Sequence, residues 1–174
     1  PVDPGVSGAL VELTDVYPTV ADLAGVTLDR WHFGQSLVPA IGDRQRRHRD
    51  FVTSEGGRLF GETHCMEGKA PLDDASPYYP RMKLQMSEDG DHTKAAMLRT
   101  ERYKYVKRLY ERDEFYDLDK GERVNEIDNP DYAGVIEELK AKMLDWYMTT
   151  CDTVPKDLDD RMTVEFMMNN MAAM

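Results

Sequence analysis

Residues 95–118, AAMLRTERYKYVKRLYERDEFYDL, decide the fold. Three short runs, 95–99, 103–109 and 114–118, are separated by the charged turns Thr100-Glu101-Arg102 and Glu111-Arg112-Asp113. The aromatic and branched residues of these runs fit a pleated, half-buried surface. Connections this short make neighbours antiparallel, because a parallel return needs a dozen residues or more. Upstream, residues 51–53 predict a fourth strand. Downstream, Asn129-Pro130 opens a helix, with proline at a position whose N–H has no intrahelical partner. Tyr132, Val135 or Ile136, Leu139, Met143 and Trp146 then recur at helical spacing, and Glu138 and Lys142 form an i,i+4 pair on the wet side. The sheet needs a cover for its apolar face, and the segment 131–149 supplies it. The expected class is α+β: an antiparallel sheet of about four strands covered by a C-terminal amphipathic helix.

Ahead of the sheet, residues 1–8 (PVDPGVSG) are turn-rich and residues 9–13 read as a short buried strand. Asp15 stands at a helix N-cap, Pro18 falls in the first turn, and Gly25 comes where a left-handed C-cap is wanted, so a helix is expected over 16–24. Val16, Val20, Leu23 and Ala24 share one face of it. Residues 27–41 form a connector, and the basic run RQRRHR at 44–49 reads as a solvated loop. His32 and His48 look like connector residues. Pro155 ends the regular part, and a tail carrying Met162, Met167, Met168, Met171 and Met174 is expected to pack on its own chain or a neighbour.

A chain of 174 residues is long enough for one real core, burying about two-thirds of its extended surface. A net charge of −11 argues against a nucleic-acid partner, which would require a basic footprint. No run approaches the ~20 apolar residues of a membrane span. Cys65 and Cys151 are far apart and match neither a disulfide framework nor a zinc site. The chain opens on Pro1 rather than an initiator Met, so an excised or processed piece of a longer polypeptide is expected.

Residues 55–92 have no sustained period, and a stretch this long in a compact domain is usually functional. Its Phe60, Tyr78, Tyr79, Met82 and Met86 argue for ordered packing. No nucleophile elbow, phosphate-cradling glycine loop or pair of histidines at metal-ligand spacing occurs anywhere, so no catalytic residue and no metal ligand is assigned. The candidate substrate-binding residues are Glu55, Arg58, His64 and His92, with Glu62 and Lys94 nearby. Cations there suit an anionic substrate group, and a histidine suits donation to a leaving oxygen.

One further set of residues runs in a recognisable order. Thr14 to Val26 (TDVYPTVADLAGV), Gly34-Gln35-Ser36-Leu37-Val38-Pro39, Arg99 with Tyr103-Lys104-Tyr105, Glu114-Phe115-Tyr116-Asp117-Leu118 with Glu122 and Asn125, and Trp146 with Thr150, Asp152 and Pro155 together resemble the late motifs of sulfatases, of the alkaline-phosphatase-like superfamily. The departures, Phe115 for the usual Leu and Lys120-Gly121 after the turn, are small. The resemblance implies three regions: residues 1–42 as the tail end of the large domain with a strand–helix remnant, 43–155 as the C-terminal subdomain, and 156–174 as an extension. In that family the larger preceding domain supplies the chemistry, from a formylglycine made in a C-x-P-x-R motif and a calcium-like divalent ion. Cys65 is followed by Met-Glu-Gly and Cys151 by Asp-Thr-Val, so neither fits the modification motif. Calcium and formylglycine are therefore implied for the full-length enzyme only. The implied partners are the N-terminal domain, on which this segment packs, and a sulfated small molecule or glycan reached through the whole enzyme. The alternatives are a stand-alone binding or assembly module, or part of a related phosphatase or phosphonate hydrolase.

Overall fold

In the computed structural model the chain is described at residues 5–29, 31–60, 75, 77, 79, 93–151, 164, 168 and 171. It divides into two compact units, Pro1–Arg49 with Ala141–Met174, and Asp50–Lys140.

The second unit holds the sheet. Strands β1 (Val52–Gly56), β2 (Ala95–Arg99), β3 (Tyr103–Arg108) and β4 (Glu114–Asp117) lie in the order β1-β2-β3-β4, every neighbour antiparallel. The predicted fourth strand exists, but it starts one residue later than expected and runs on to Gly56. Register places Thr53, Leu98, Tyr105 and Phe115 side by side across all four strands. Side chains alternate between faces, so these four share one face, and three of them are almost completely buried: Leu98, Tyr105 and Phe115. The helix α3 (Ala133–Thr150) follows, and its first part, up to Lys140, belongs to the unit of the sheet, with Ile136 and Leu139 buried. Its entry is fixed by a 3₁₀ turn, Pro130–Tyr132, capped by Asn129, whose side chain accepts from the Asp131 N–H at 3.0 Å. The Tyr132 ring packs 5.1 Å from Phe115, and Tyr103 stacks on Phe115 at 5.6 Å, closing the end of the core with three aromatic rings.

The polar link after β4, residues 118–129, is tied down by side chains. Asn125 Oδ1 accepts from the Phe115 and Ile127 N–H groups, and its amide donates to the Asp113 carbonyl. Lys104 reaches Glu122 at 2.6 Å from the other face of the sheet.

The first unit departs further from its sequence reading. α1 (Val16–Ala24) has the expected bounds and ends on Gly25 at φ 68°, the left-handed conformation glycine adopts without strain. Residues 9–12, expected as a strand, pair with no strand among the described residues, and Leu13–Asp15 is a 3₁₀ turn. An apolar run becomes a strand only beside a ladder partner, and among the described residues none lies beside it. The connector after α1 contains a short helix, α2 (Val38–Gly42). Asp15 occupies the N-cap position without capping, because its carboxylate is engaged elsewhere. The predicted apolar face of α1 is turned outward: Val16, Val20 and Leu23 are exposed, and Asp15, Pro18, Thr19 and Ala21 are buried instead.

Candidate functional site

The long stretch between β1 and β2 leaves and re-enters the second unit at one place. Arg58 pairs with Thr93 in a parallel bridge, and the Lys94 N–H donates to the Arg58 carbonyl at 3.0 Å. The Leu109 N–H, just past β3, donates to the Lys94 carbonyl. Thr93 is buried, and its hydroxyl donates to Glu111 in the next turn. Phe60 stacks on Tyr110 with centroids 4.1 Å apart, while its N–H donates to the Tyr110 hydroxyl. Both ends of the excursion are therefore pinned beside the Leu109–Asp113 corner. Of the four predicted substrate-binding residues, Glu55 is exposed on β1 and Arg58 half-buried in the bridge. His64 and His92 lie outside the described residues, as do Cys65, Glu62 and most of the Met-rich tail. Thr93, Phe60 with Tyr110, and Glu111 complete this mouth. Sequence reading did not group them, because only the β2–β3 register brings Tyr110 and Glu111 beside residues 58–60 and 93.

Elsewhere, chemistry-bearing side chains converge on three carboxylates. Asp15 is fully buried. Its Oδ1 accepts from the Gln35 N–H at 2.8 Å and from Arg49 Nη2, and its Oδ2 accepts from the Glu12 N–H and from Arg49 Nε, both at 2.9 Å. His48 Nε2 lies 3.2 Å from the same Oδ2. Burial pushes this carboxyl up. The hydrogen bonds from Arg49, Gln35 and Glu12, together with the Arg49 charge, outweigh burial and hold it well below the usual carboxylate range. His48 and Arg49 are thus no solvated loop: the basic run ends in a clasp on a carboxylate thirty-four residues earlier. Thr19 extends the clasp, donating to the Asp15 carbonyl and accepting from the Leu37 N–H. Gly34 is required there, because a Cβ would sit 2.0 Å from the Thr14 carbonyl oxygen.

In the second unit Asp117 accepts from Arg102, from the Tyr132 hydroxyl at 2.9 Å and from the Asp119 N–H, and these hydrogen bonds lower its pKa. Asp113 accepts from the Tyr105 hydroxyl at 2.7 Å, from Lys107 and from the Arg108 N–H. Burial raises it, those donors lower it, and the net shift is downward. Burial and the bond to Asp113 push the Tyr105 hydroxyl far up. Each carboxylate is saturated by N–H and O–H donors. Such groups fix elements in place, and they offer no oxygen to a divalent cation. Among the described residues no cluster of three or more His, Cys, Asp or Glu is placed to hold a metal ion, and Cys151 is exposed, with no partner cysteine, in a sequence context foreign to formylglycine formation. The described residues do not fit either group.

The motifs that suggested a family thus map onto fold-holding contacts: Asp15 and Gly34 in the first unit, Lys104, Glu122, Asp117 and Asn125 in the second. With this fold, the chain matches the C-terminal portion of a sulfatase. No protein-family model matches it. It is 29% identical over 139 residues to the Delta 4,5-hexuronate-2-O-sulfatase of Bacteroides thetaiotaomicron, which accounts for 78% of this chain and 23% of that protein. The solved structure of a 2-O GAG sulfatase superposes with a TM-score of 0.55 at 26% identity, over 84% of this chain and 27% of that one. The phosphonate monoester hydrolase of Agrobacterium radiobacter superposes with a TM-score of 0.52, also at 26% identity, over 78% of this chain and 24% of that one. The chain spans about a quarter of the length of these relatives.

Proposed function

We propose that this chain is the C-terminal part of a hydrolase of sulfate esters, that it supports the fold and shapes the substrate pocket, and that the reacting groups lie in sequence preceding it. The observation that carries the reading is the match to sulfatases over their C-terminal portion, at about a quarter of their length. On this reading residues 1–42 are the end of the large domain, 43–155 the subdomain and 156–174 an extension, and the first of these packs against the upstream domain. Calcium and formylglycine belong to that upstream part. Stabilising the charge that develops on sulfate oxygens requires preorganised donors or a cation, and Asp15, Asp113 and Asp117 are committed to donors of this chain.

The part assigned to this chain is positional. Glu55 and Arg58 stand where the excursion between β1 and β2 begins and His64 and His92 lie along it in sequence, and a cation there would orient an anionic ester while a histidine donates to the leaving oxygen. The relatives that are named for 2-O-sulfate removal from hexuronate or GAG make a sulfated sugar the first substrate to try.

The encoding frame upstream of Pro1 is expected to contain a C-x-P-x-R motif and an Asp-Asp pair; a start codon beside Pro1 would instead favour a stand-alone module. The longer polypeptide is expected to release sulfate from a sulfated uronic-acid sugar, and the 174 residues alone to release none with or without calcium. Replacing Arg58, His64 or His92 by Ala in the longer polypeptide should lower kcat/KM or change the preferred ester at unchanged fold; if all three match the parent, the pocket lies elsewhere. The likeness to a phosphonate monoester hydrolase favours a second reading, hydrolysis of a phosphonate monoester, and a side-by-side assay on the two ester classes separates them.

A further inference from the structure

We infer that the outward face of α1, formed by Leu13, Val16, Tyr17, Val20 and Leu23, is the surface through which this segment docks on the preceding part of the same polypeptide. The inference rests on the reading of the chain as the C-terminal part of a longer sulfatase. These five side chains are 92%, 51%, 51%, 60% and 68% exposed, and they recur at one-turn intervals along the 3₁₀ turn and the helix that continues it. A surface helix ordinarily turns its apolar stripe inward and its polar face to water. Here the order is reversed. The inner side is held by Asp15 and Thr19, through hydrogen bonds to residues 12, 35, 37 and 49, and the stripe is left outside.

A nine-residue helix has little stability of its own, and a contiguous apolar stripe on a surface usually marks an interface. Asp22 is the only charged residue from Val16 to Ala24, so the occupant must itself be apolar rather than charge-matched. The occupant we assign is the upstream portion of the polypeptide. The relatives carry about three-quarters of their length outside the match, and the match is to their C-terminal portion.

The test uses the longer polypeptide carrying Val20→Asp with Leu23→Asp, and separately Leu13→Asp, which lies ahead of the helix and spares its propensity. Both should increase protease cleavage around residues 5–30 roughly tenfold or more, since cleavage follows the population of the opened state. In the 174-residue chain the same changes should leave helical circular dichroism intact and reduce binding of an apolar-surface dye. If cleavage is unchanged while sulfate release persists, the docking inference is overturned and the sulfatase reading stands. If no longer reading frame exists, the underlying reading falls, and this inference with it. If the longer polypeptide is a dimer that these variants dissociate with cleavage unchanged, the face joins two copies and the inference is likewise overturned.

Discussion

The two units differ in what fills most of their interiors. In the second, the fully buried side chains are mainly apolar or aromatic, Leu98, Tyr105 and Phe115 in one row across the sheet, and its one fully buried carboxylate among the described residues, Asp117, is met by the exposed Arg102. In the first, the largest fully buried side chain among the described residues is a carboxylate, Asp15, while Val16, Val20 and Leu23 of α1 face out. A row of apolar contacts is non-directional and degrades gradually as atoms are removed. A buried charge with five donors is directional, and losing one partner leaves the others unpaired in a poor solvent for charge. The first unit should therefore fail at a single residue, and the second by degrees.

That contrast can be broken most sharply at Asp15. Asp15→Ala should destabilise the first unit by on the order of 3–5 kcal/mol, because the largely buried Arg49 loses its main carboxylate partner and keeps only Glu12 at 3.6 Å. Amide hydrogen exchange should show the loss at residues 16–25 while residues 95–117 keep their protection. Leu98→Ala should reverse the pattern, costing about 2–5 kcal/mol in the sheet through the lost burial and the cavity left behind. Gly34→Ala is expected to cost about 1–3 kcal/mol, since its Cβ meets the rigid Thr14 carbonyl rather than a movable side chain, and a denaturant titration reads it directly.

Acid should sharpen the same comparison. The Asp15 pKa is depressed in the folded chain, so its contribution is complete above the ordinary carboxylate value of about 4 and is lost as the pH falls below that toward the lower folded value. Protection at residues 16–25 should therefore decline below about pH 4 in the parent, with the decline flattened in Asp15→Asn. Asp113 and Glu114 are depressed as well, but acid leaves the Leu98–Tyr105–Phe115 row in place, so the sheet amides should lose protection later. The smallest effect belongs to Lys104 and Glu122: a double-mutant cycle with Lys104→Met and Glu122→Gln should return about 0–1 kcal/mol, as for other exposed pairs.

The sheet was legible because its information is local. Alternating side chains and two short turns leave little choice but an antiparallel meander, and β2 has the bounds that pattern predicts. The closing helix was equally readable from Asn129-Pro130 and the stripe through Ile136 and Leu139. The candidate site was half legible. Glu55 and Arg58 could be named from composition, but that Arg58 meets Thr93, and Phe60 meets Tyr110, depends on contacts spanning 35 residues and more, which no local pattern encodes.

By itself, then, the sequence determined where the two longer helices lie, which of the four strands are neighbours, and the order of motifs that resembles a sulfatase. Only the tertiary structure decided what the motif residues do. Asp15 reads as a cap yet becomes the buried partner of Arg49, and α1 is amphipathic with its apolar side turned out. Periodicity reports which residues share a face, and it is silent on which face is covered. That choice depends on the donors and surfaces that distant segments bring to the helix, and here Arg49 and Gln35 secured the polar side.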